Sequence, residues 1–256
     1  EREVLYEEFT SNSSPACANN NSQLNNFINL NYQSITPIKY HTGLLGLDSF
    51  YIQNPQQSDE RSRYYFLSGV PTTFADGKIV VSIPYGDSTN LYTPYLTRLS
   101  KGTPVSISVT DERAGSSINT TIDVNIISAL PPGNYRLRIN AIERYIFKLG
   151  QGTNGENQFY DVFRAFYPDS NGIPISIAPG KNQYQYSYPI QPDWVDSMIY
   201  TAAFIQNDDT REVMNSAKGR SNPFYNFKQP SKTVSRKSDL LNTHYEYSNH
   251  FENQHS

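Results

Sequence analysis

The chain has a single cysteine, Cys17, among 256 residues. That excludes an intramolecular disulfide, and it leaves no dithiol pair for thiol–disulfide exchange within the chain. Charge is sparse: Asp, Glu, Lys and Arg make up 18% of residues, and the net charge is -3. There is therefore no basic footprint for nucleic acid. No apolar run reaches the roughly 18 residues that a membrane-spanning helix requires. No Gly-x-Ser-x-Gly, phosphate-binding loop or dinucleotide fingerprint is present, so no cofactor is expected. The four histidines show no metal-ligand spacing: His41 stands alone, and His244, His250 and His255 fall in a polar terminal stretch. Asp169-Ser170-Asn171-Gly172 and the pair Asp208-Asp209 lack the spacing of a calcium loop and read as turns. Methionine and tryptophan are scarce, at two and one, whereas tyrosine reaches 20. With abundant Asn, Ser, Thr and Gln, this composition suits a β-rich secreted or surface protein whose tyrosines and asparagines could contact glycans or proteins.

Residues 3–9 read as a strand and lead into a helix with Ser14 at the N-cap and Pro15 at its first position. Cys17, Leu24, Phe27 and Ile28 fall on one helical stripe, which turns Cys17 inward. A second strand is expected over 34–41, interrupted by Pro37. A helix capped by Ser58, with Asp59 and Glu60 in its first turn, should follow. Residues 69–80 read as a hairpin turning at Asp76-Gly77, and 93–99 as a short helix. Strand, helix, strand, helix, hairpin, helix is an α/β layout of thioredoxin type. Beyond Pro104 the period becomes two, at Val105, Ile107 and Val109, at Ile118 to Ile126, at Tyr135 to Ala141, and at Tyr184 to Tyr188. With Ile199 to Ile205 these predict an antiparallel sandwich. Within it, Phe159, Val162, Phe163 and Phe166 have helical spacing and predict a short helix ending before Pro168. After Gly219 aliphatic residues thin out, and Lys228, Lys232, Arg236 and Lys237 form a weak basic run. The expected divisions are 1–102, 103–219 and a polar tail or linker over 220–256.

Ser14-Pro15-Ala16-Cys17 stands where a dithiol oxidoreductase carries Cys-x-x-Cys. A serine hydroxyl cannot replace the attacking thiolate at neutral pH. Cys17 reads as a buried small hydrophobe, with a lone reactive thiol as the alternative. Ser14 reads as a helix cap, with a hydrogen-bonding stand-in for the thiol as the alternative. Val70-Pro71-Thr72 suits the proline that precedes the penultimate strand of thioredoxin folds. It is either a retained fold element or one wall of a groove that pairs with an extended peptide.

The pattern Val4-Leu5-x-Glu7-Glu8-Phe9-Thr10, the Ser14-x-x-Cys17 turn and Gly69-Val70-Pro71-Thr72-Thr73-Phe74-x-x-Gly77 resemble the twenty-eight-kilodalton outer membrane protein group of Bacteroidetes. So do Gly152-Thr153-Asn154-Gly155-Glu156, Phe163-Arg164-x-Phe166-x-Pro168 and Ala203-Phe204-Ile205-Gln206-Asn207-Asp208-x-Thr210-Arg211-Glu212-Val213. The resemblance implies a thioredoxin-like domain followed by an immunoglobulin-like sandwich, exported and often attached to the outer membrane as a lipoprotein, with the lipid anchor on a removed or absent N-terminus. Members often carry Trp-Cys-x-x-Cys at the turn. Here Ser13, Ser14 and Cys17 occupy those places, and the redox role does not carry over. The expected function is a cell-envelope binding or interaction protein on a redox-inactive scaffold, with an extended peptide, an envelope protein or a glycan as partner. Thiol exchange through Cys17 and a structural surface subunit remain as alternatives.

Overall fold

The computed structural model describes residues 1–150 and 152–219. The stretch 220–256, with its basic run and three of the four histidines, lies outside the described residues.

The N-terminal part is a parallel strand pair joined by a helix. β1 (Val4–Thr10) and β2 (Ile35–His41) pair from Val4 opposite Ile35 to Thr10 opposite His41, and α1 (Pro15–Leu30) connects them. Every residue of both strands is buried, as expected for strands covered on both faces. α2 (Pro55–Tyr64) follows. β3 (Thr72–Ala75) then lies antiparallel on the other side of β1, β4 (Ile79–Val81) returns beside it, and α3 (Ser88–Leu99) closes the unit. The hairpin turn is at Asp76 and Gly77, with φ of 48° and 66°, the left-handed pair that a two-residue turn needs. A Cβ on Gly77 would run into the Arg211 carbonyl oxygen.

α1 begins as its sequence predicts: Ser14 accepts from the Cys17 N–H at 3.3 Å and Pro15 occupies the first turn. α2 begins earlier than expected. Asn54 caps it and Pro55 opens it, while Ser58 is buried in its interior. α3 also begins earlier, capped by Asp87, and absorbs Pro94.

Beyond α3 the described residues, up to 219, are mostly strand. β5 (Val105–Ala114), β6 (Ser117–Ile126) and β10 (Gly180–Pro189) form a three-stranded sheet in the order β10-β6-β5. β7 (Tyr135–Phe147), β8 (Gln158–Tyr167), β11 (Ile199–Asn207) and β12 (Val213–Lys218) join the N-terminal strands in the order β12-β11-β7-β8-β2-β1-β3-β4, with the short β9 (Ile173–Pro174) beside β7. The seam is one parallel bridge, Lys39 opposite Val162. The small sheet packs on one face of this nine-stranded sheet through Val105, Ile122, Val124, Leu137, Ile139 and Ile205. α2 covers an aromatic core of Phe9, Tyr40, Tyr65, Phe163, Phe166 and Phe204. The fold is thus mixed α/β and dominated by sheet.

The helix expected over Phe159 to Phe166 is strand β8. The register against β7 shifts between Ala141 and Ile142, so Arg164 is an extra residue in the ladder. That bulge brings Phe163 and Phe166 to one face, their rings 4.8 Å apart, and mimics helical spacing in the sequence.

Candidate functional site

The turn that follows β1 is held from two sides. Ser11, Asn12, Ser14 and Cys17 are buried, while Pro15 and Ala16 are exposed. From the β2–α2 loop, Asp48 accepts the Asn12 N–H at 2.6 Å, and Leu45 offers its carbonyl to Ser13 Oγ. From the β7–β8 loop, Asn154 donates its backbone N–H to the Asn12 carbonyl and its side-chain amide to the carbonyls of Ser11 and Ser14. Asn154 is itself held by Glu156, which also accepts from Asn21 of α1 at 2.7 Å. The second half of the chain therefore ties down the backbone of this turn, while Pro15 and Ala16 stay exposed.

Cys17 is 0% exposed. Burial pushes its thiol up, against weaker hydrogen bonds from Ser14 and Thr10. A thiol held this way is a poor nucleophile at neutral pH. Ser14 spends its oxygen on the helix cap.

Val70-Pro71-Thr72 reaches the same end of the sheet. Thr72 lies opposite Phe9, which places Pro71 beside the end of β1 from which the turn departs. The Val70–Pro71 peptide is cis. Pro71 is buried, whereas Val70 and Thr72 keep partial exposure. Thr72 Oγ1 donates to the Gly69 carbonyl, and Val70 packs on the aromatic core.

Sequence reasoning missed the buried charges behind the turn. Glu7 and Glu8 lie in the middle of an otherwise apolar strand and point to opposite faces. Glu7 receives Arg61 Nε at 2.8 Å and Nη2 at 2.7 Å, with the hydroxyls of Tyr40 and Tyr65 donating as well. Glu8 pairs with Lys39 at 2.7 Å, and Lys39 also donates to Asn25. Burial pushes the Glu8 carboxyl up, and Lys39 opposes that shift. His41, the lone histidine, contacts Asp48 at 2.7 Å and packs on Phe50. Burial pushes the Asp48 carboxyl up, but His41 beside it, helped by hydrogen bonds from the backbone of Asn12 and Tyr51, outweighs that and holds it below the usual carboxylate range. The signal for this layer was the doublet Glu7-Glu8 itself, because an acid inside a buried strand needs a buried partner.

A cleft of about 910 Å³ lies elsewhere, between α2 and the end of β8, lined in part by Gln57, Arg61, Tyr64, Arg138, Tyr167 and Asp208. Its polar groups largely satisfy one another: Arg138 and Tyr64 both donate to Asp208, and Gln57 bonds the Phe166 backbone at both N–H and carbonyl. Among the described residues, no group of His, Cys, Asp and Glu is arranged to hold a metal, and no helix is long and apolar enough to cross a membrane.

No protein-family profile matches the chain, and no curated protein matches it in sequence. Its fold is similar to that of HBP35 of Porphyromonas gingivalis, with a TM-score of 0.74 at 13% identity over 92% of this chain and 81% of that one. A protein from Agrobacterium tumefaciens aligns over 91% of this chain and 99% of its own, with a TM-score of 0.57 at 14% identity. A domain of the outer membrane lipoprotein Omp28 from Porphyromonas gingivalis aligns over 48% of this chain and 91% of its own, at 16% identity and a TM-score of 0.36, too low to bear on the fold.

Proposed function

We propose that this chain is an exported cell-envelope binding or interaction protein. Its N-terminal part, about residues 1–102, serves as a thioredoxin-like scaffold without redox chemistry, and residues 103–219 form an immunoglobulin-like sandwich. The observation that carries this reading is the closed turn. Ser14 stands at the nucleophile's place and caps α1, Cys17 is buried beside it, and Asn154 ties the turn to the β7–β8 loop. The envelope assignment draws on the family resemblance of the motifs and on the fold shared with a Porphyromonas protein. Val70, Pro71 and Thr72 are the proposed peptide-contacting wall, since backbone at the end of a strand can pair with an extended chain.

The test is a dithiothreitol-driven insulin reduction assay with the whole chain, alongside binding of an extended-peptide library before and after Cys17→Ser. The reading expects no reductase activity above the uncatalysed rate, and peptide binding that Cys17→Ser leaves unchanged. Reductase turnover, or peptide binding lost in a folded Cys17→Ser protein, contradicts it.

A further inference from the structure

Sheet edges show whether a protein avoids or accepts strand partners, because an open edge presents unpaired N–H and C=O groups. Among the described residues, four strands lie at the ends of the two sheets, and three of them are protected. β4 has only three residues. The outer side of β12 is taken up by Asp76, whose carbonyl receives the Val213 N–H, by Arg2 and Arg98 on the Val213 carbonyl, and by Thr103 on the Met214 carbonyl. β5 carries Asp111, Glu112 and Arg113 in succession and is tied to β11 through Asp111 and Arg113.

β10 is different. It runs ten residues, pairs with β6 in an unbroken register from Gly180 opposite Ile126 to Pro189 opposite Ser117, and ends the three-stranded sheet. It has no bulge, its proline is its last residue, and Lys181 is its one charge. Among the described residues, no hydrogen bond reaches the backbone of 181–188 from outside the β6 ladder. On its inner face Tyr184 and Tyr186 pack on the core yet remain only half-buried.

We propose that β10 is a self-pairing edge, at which a second copy of this chain adds its own β10 antiparallel and makes one six-stranded sheet across the dimer. The strand is complementary to itself. With Tyr184 opposite its own copy, Gln183 meets Gln185, Asn182 meets Tyr186, and Lys181 meets Ser187. No like charges face each other, Gln185, whose amide donates to Gln183 of its own strand, comes to lie opposite Gln183 of the copy, and the half-buried Tyr184 rings cover one another. Cross-strand aromatic and polar pairs of this kind are the unit that stabilises a sheet.

The register predicts opposite effects from two changes at one exposed position. Ser187→Lys sets two lysines against each other twice in the dimer, and Ser187→Glu sets a carboxylate against Lys181 twice. Sedimentation equilibrium of the full chain should give a dimer at tens to hundreds of micromolar. Ser187→Lys should raise the dimer Kd roughly three- to tenfold, and Ser187→Glu should lower it by about as much, given the size of cross-strand charge pairs. Thermal melts would confirm that both variants are folded. A wild-type monomer across that range overturns the proposal. So does a dimer that ignores both changes, or one that responds to both in the same direction.

Discussion

Glu7 and Arg61 form a buried ion pair behind the turn. Arg61 lies among the rings of Tyr64, Tyr65 and Phe204, and its fork closes on the Glu7 carboxylate. Both side chains are essentially unexposed, at 1% and 0%. Glu7→Ala leaves a buried guanidinium without its anion. It should cost about 3–5 kcal/mol in urea unfolding, the usual penalty for stranding one partner of a buried pair. A loss below 1 kcal/mol would mean that Tyr65 and Gln206 can hold Arg61 alone.

A second residue-scale prediction concerns pH. Burial pushes the Asp111 carboxyl up, only partly offset by hydrogen bonds from Thr201. A raised native pKa means that the folded state holds the proton more tightly than the unfolded chain does. The stability it contributes is therefore present below the unfolded value and lost as pH rises through the native value. Asp111→Asn keeps an acceptor for the Thr201 N–H but removes the titration. The variant should gain stability relative to wild type as pH rises from the ordinary aspartate range toward neutrality, then hold level. A stability difference that does not change with pH would show that Asp111 titrates normally.

At the scale of elements, α2 is bound to the edge of β8 by its side-chain amides. Asn54 donates to the Arg164 carbonyl, and Gln57 takes both the N–H and the carbonyl of Phe166. These amides stand where a neighbouring strand would be, because β2 meets β8 at one residue only. Gln57→Ala leaves a part-buried backbone pair without partners and should cost roughly 1–3 kcal/mol. Faster hydrogen exchange confined to the Phe166 amide and its neighbours would locate the effect. The Ser14 turn gives a further prediction. Ser14→Cys restores two cysteines in the Cys-x-x-Cys spacing, yet the Asn154 bridge still covers them. That variant alone should show little insulin reduction, and adding Asn154→Ala should raise it several-fold. Full activity in Ser14→Cys alone would mean that the loop does not close the turn.

The elements also show how far the sequence could be read. Ser14-Pro15 and Asp76-Gly77 announced a helix start and a hairpin because cap and turn chemistry are local. The period-two runs at Val105, Ile118 and Tyr135 announced strands because alternation records one buried face. β8 was misread because a bulge at Arg164 converts alternation into helical spacing, and a bulge is set by the partner strand, not by the segment itself. Ser58 has the chemistry of a cap, but the chain enters α2 four residues earlier at Asn54-Pro55, and packing buries Ser58 inside the helix. At the candidate site, Ser14, Cys17 and Pro71 were found through their positions in a known layout. Asn154, Lys39 and Arg61 were not found, because each acts across more than thirty residues of chain on a group that no local pattern links to it.

At the scale of the whole molecule, the two halves share one sheet and one closed turn. Bridge Lys39–Val162 joins the strands, Glu8–Lys39 fills the layer behind the turn, and Asn154 reaches over from the β7–β8 loop. Cys17 therefore reports on the integrity of both halves at once. The most direct test of the redox-inactive account is the alkylation rate of Cys17 in the native chain across pH, set against the same chain in denaturant. The account predicts strong protection at neutral pH, lifted only as the protein unfolds cooperatively, with no native labelling step below the pH of an ordinary thiol. Rapid native labelling with an apparent pKa below that of a free cysteine would contradict it, and would make Cys17 a working thiol.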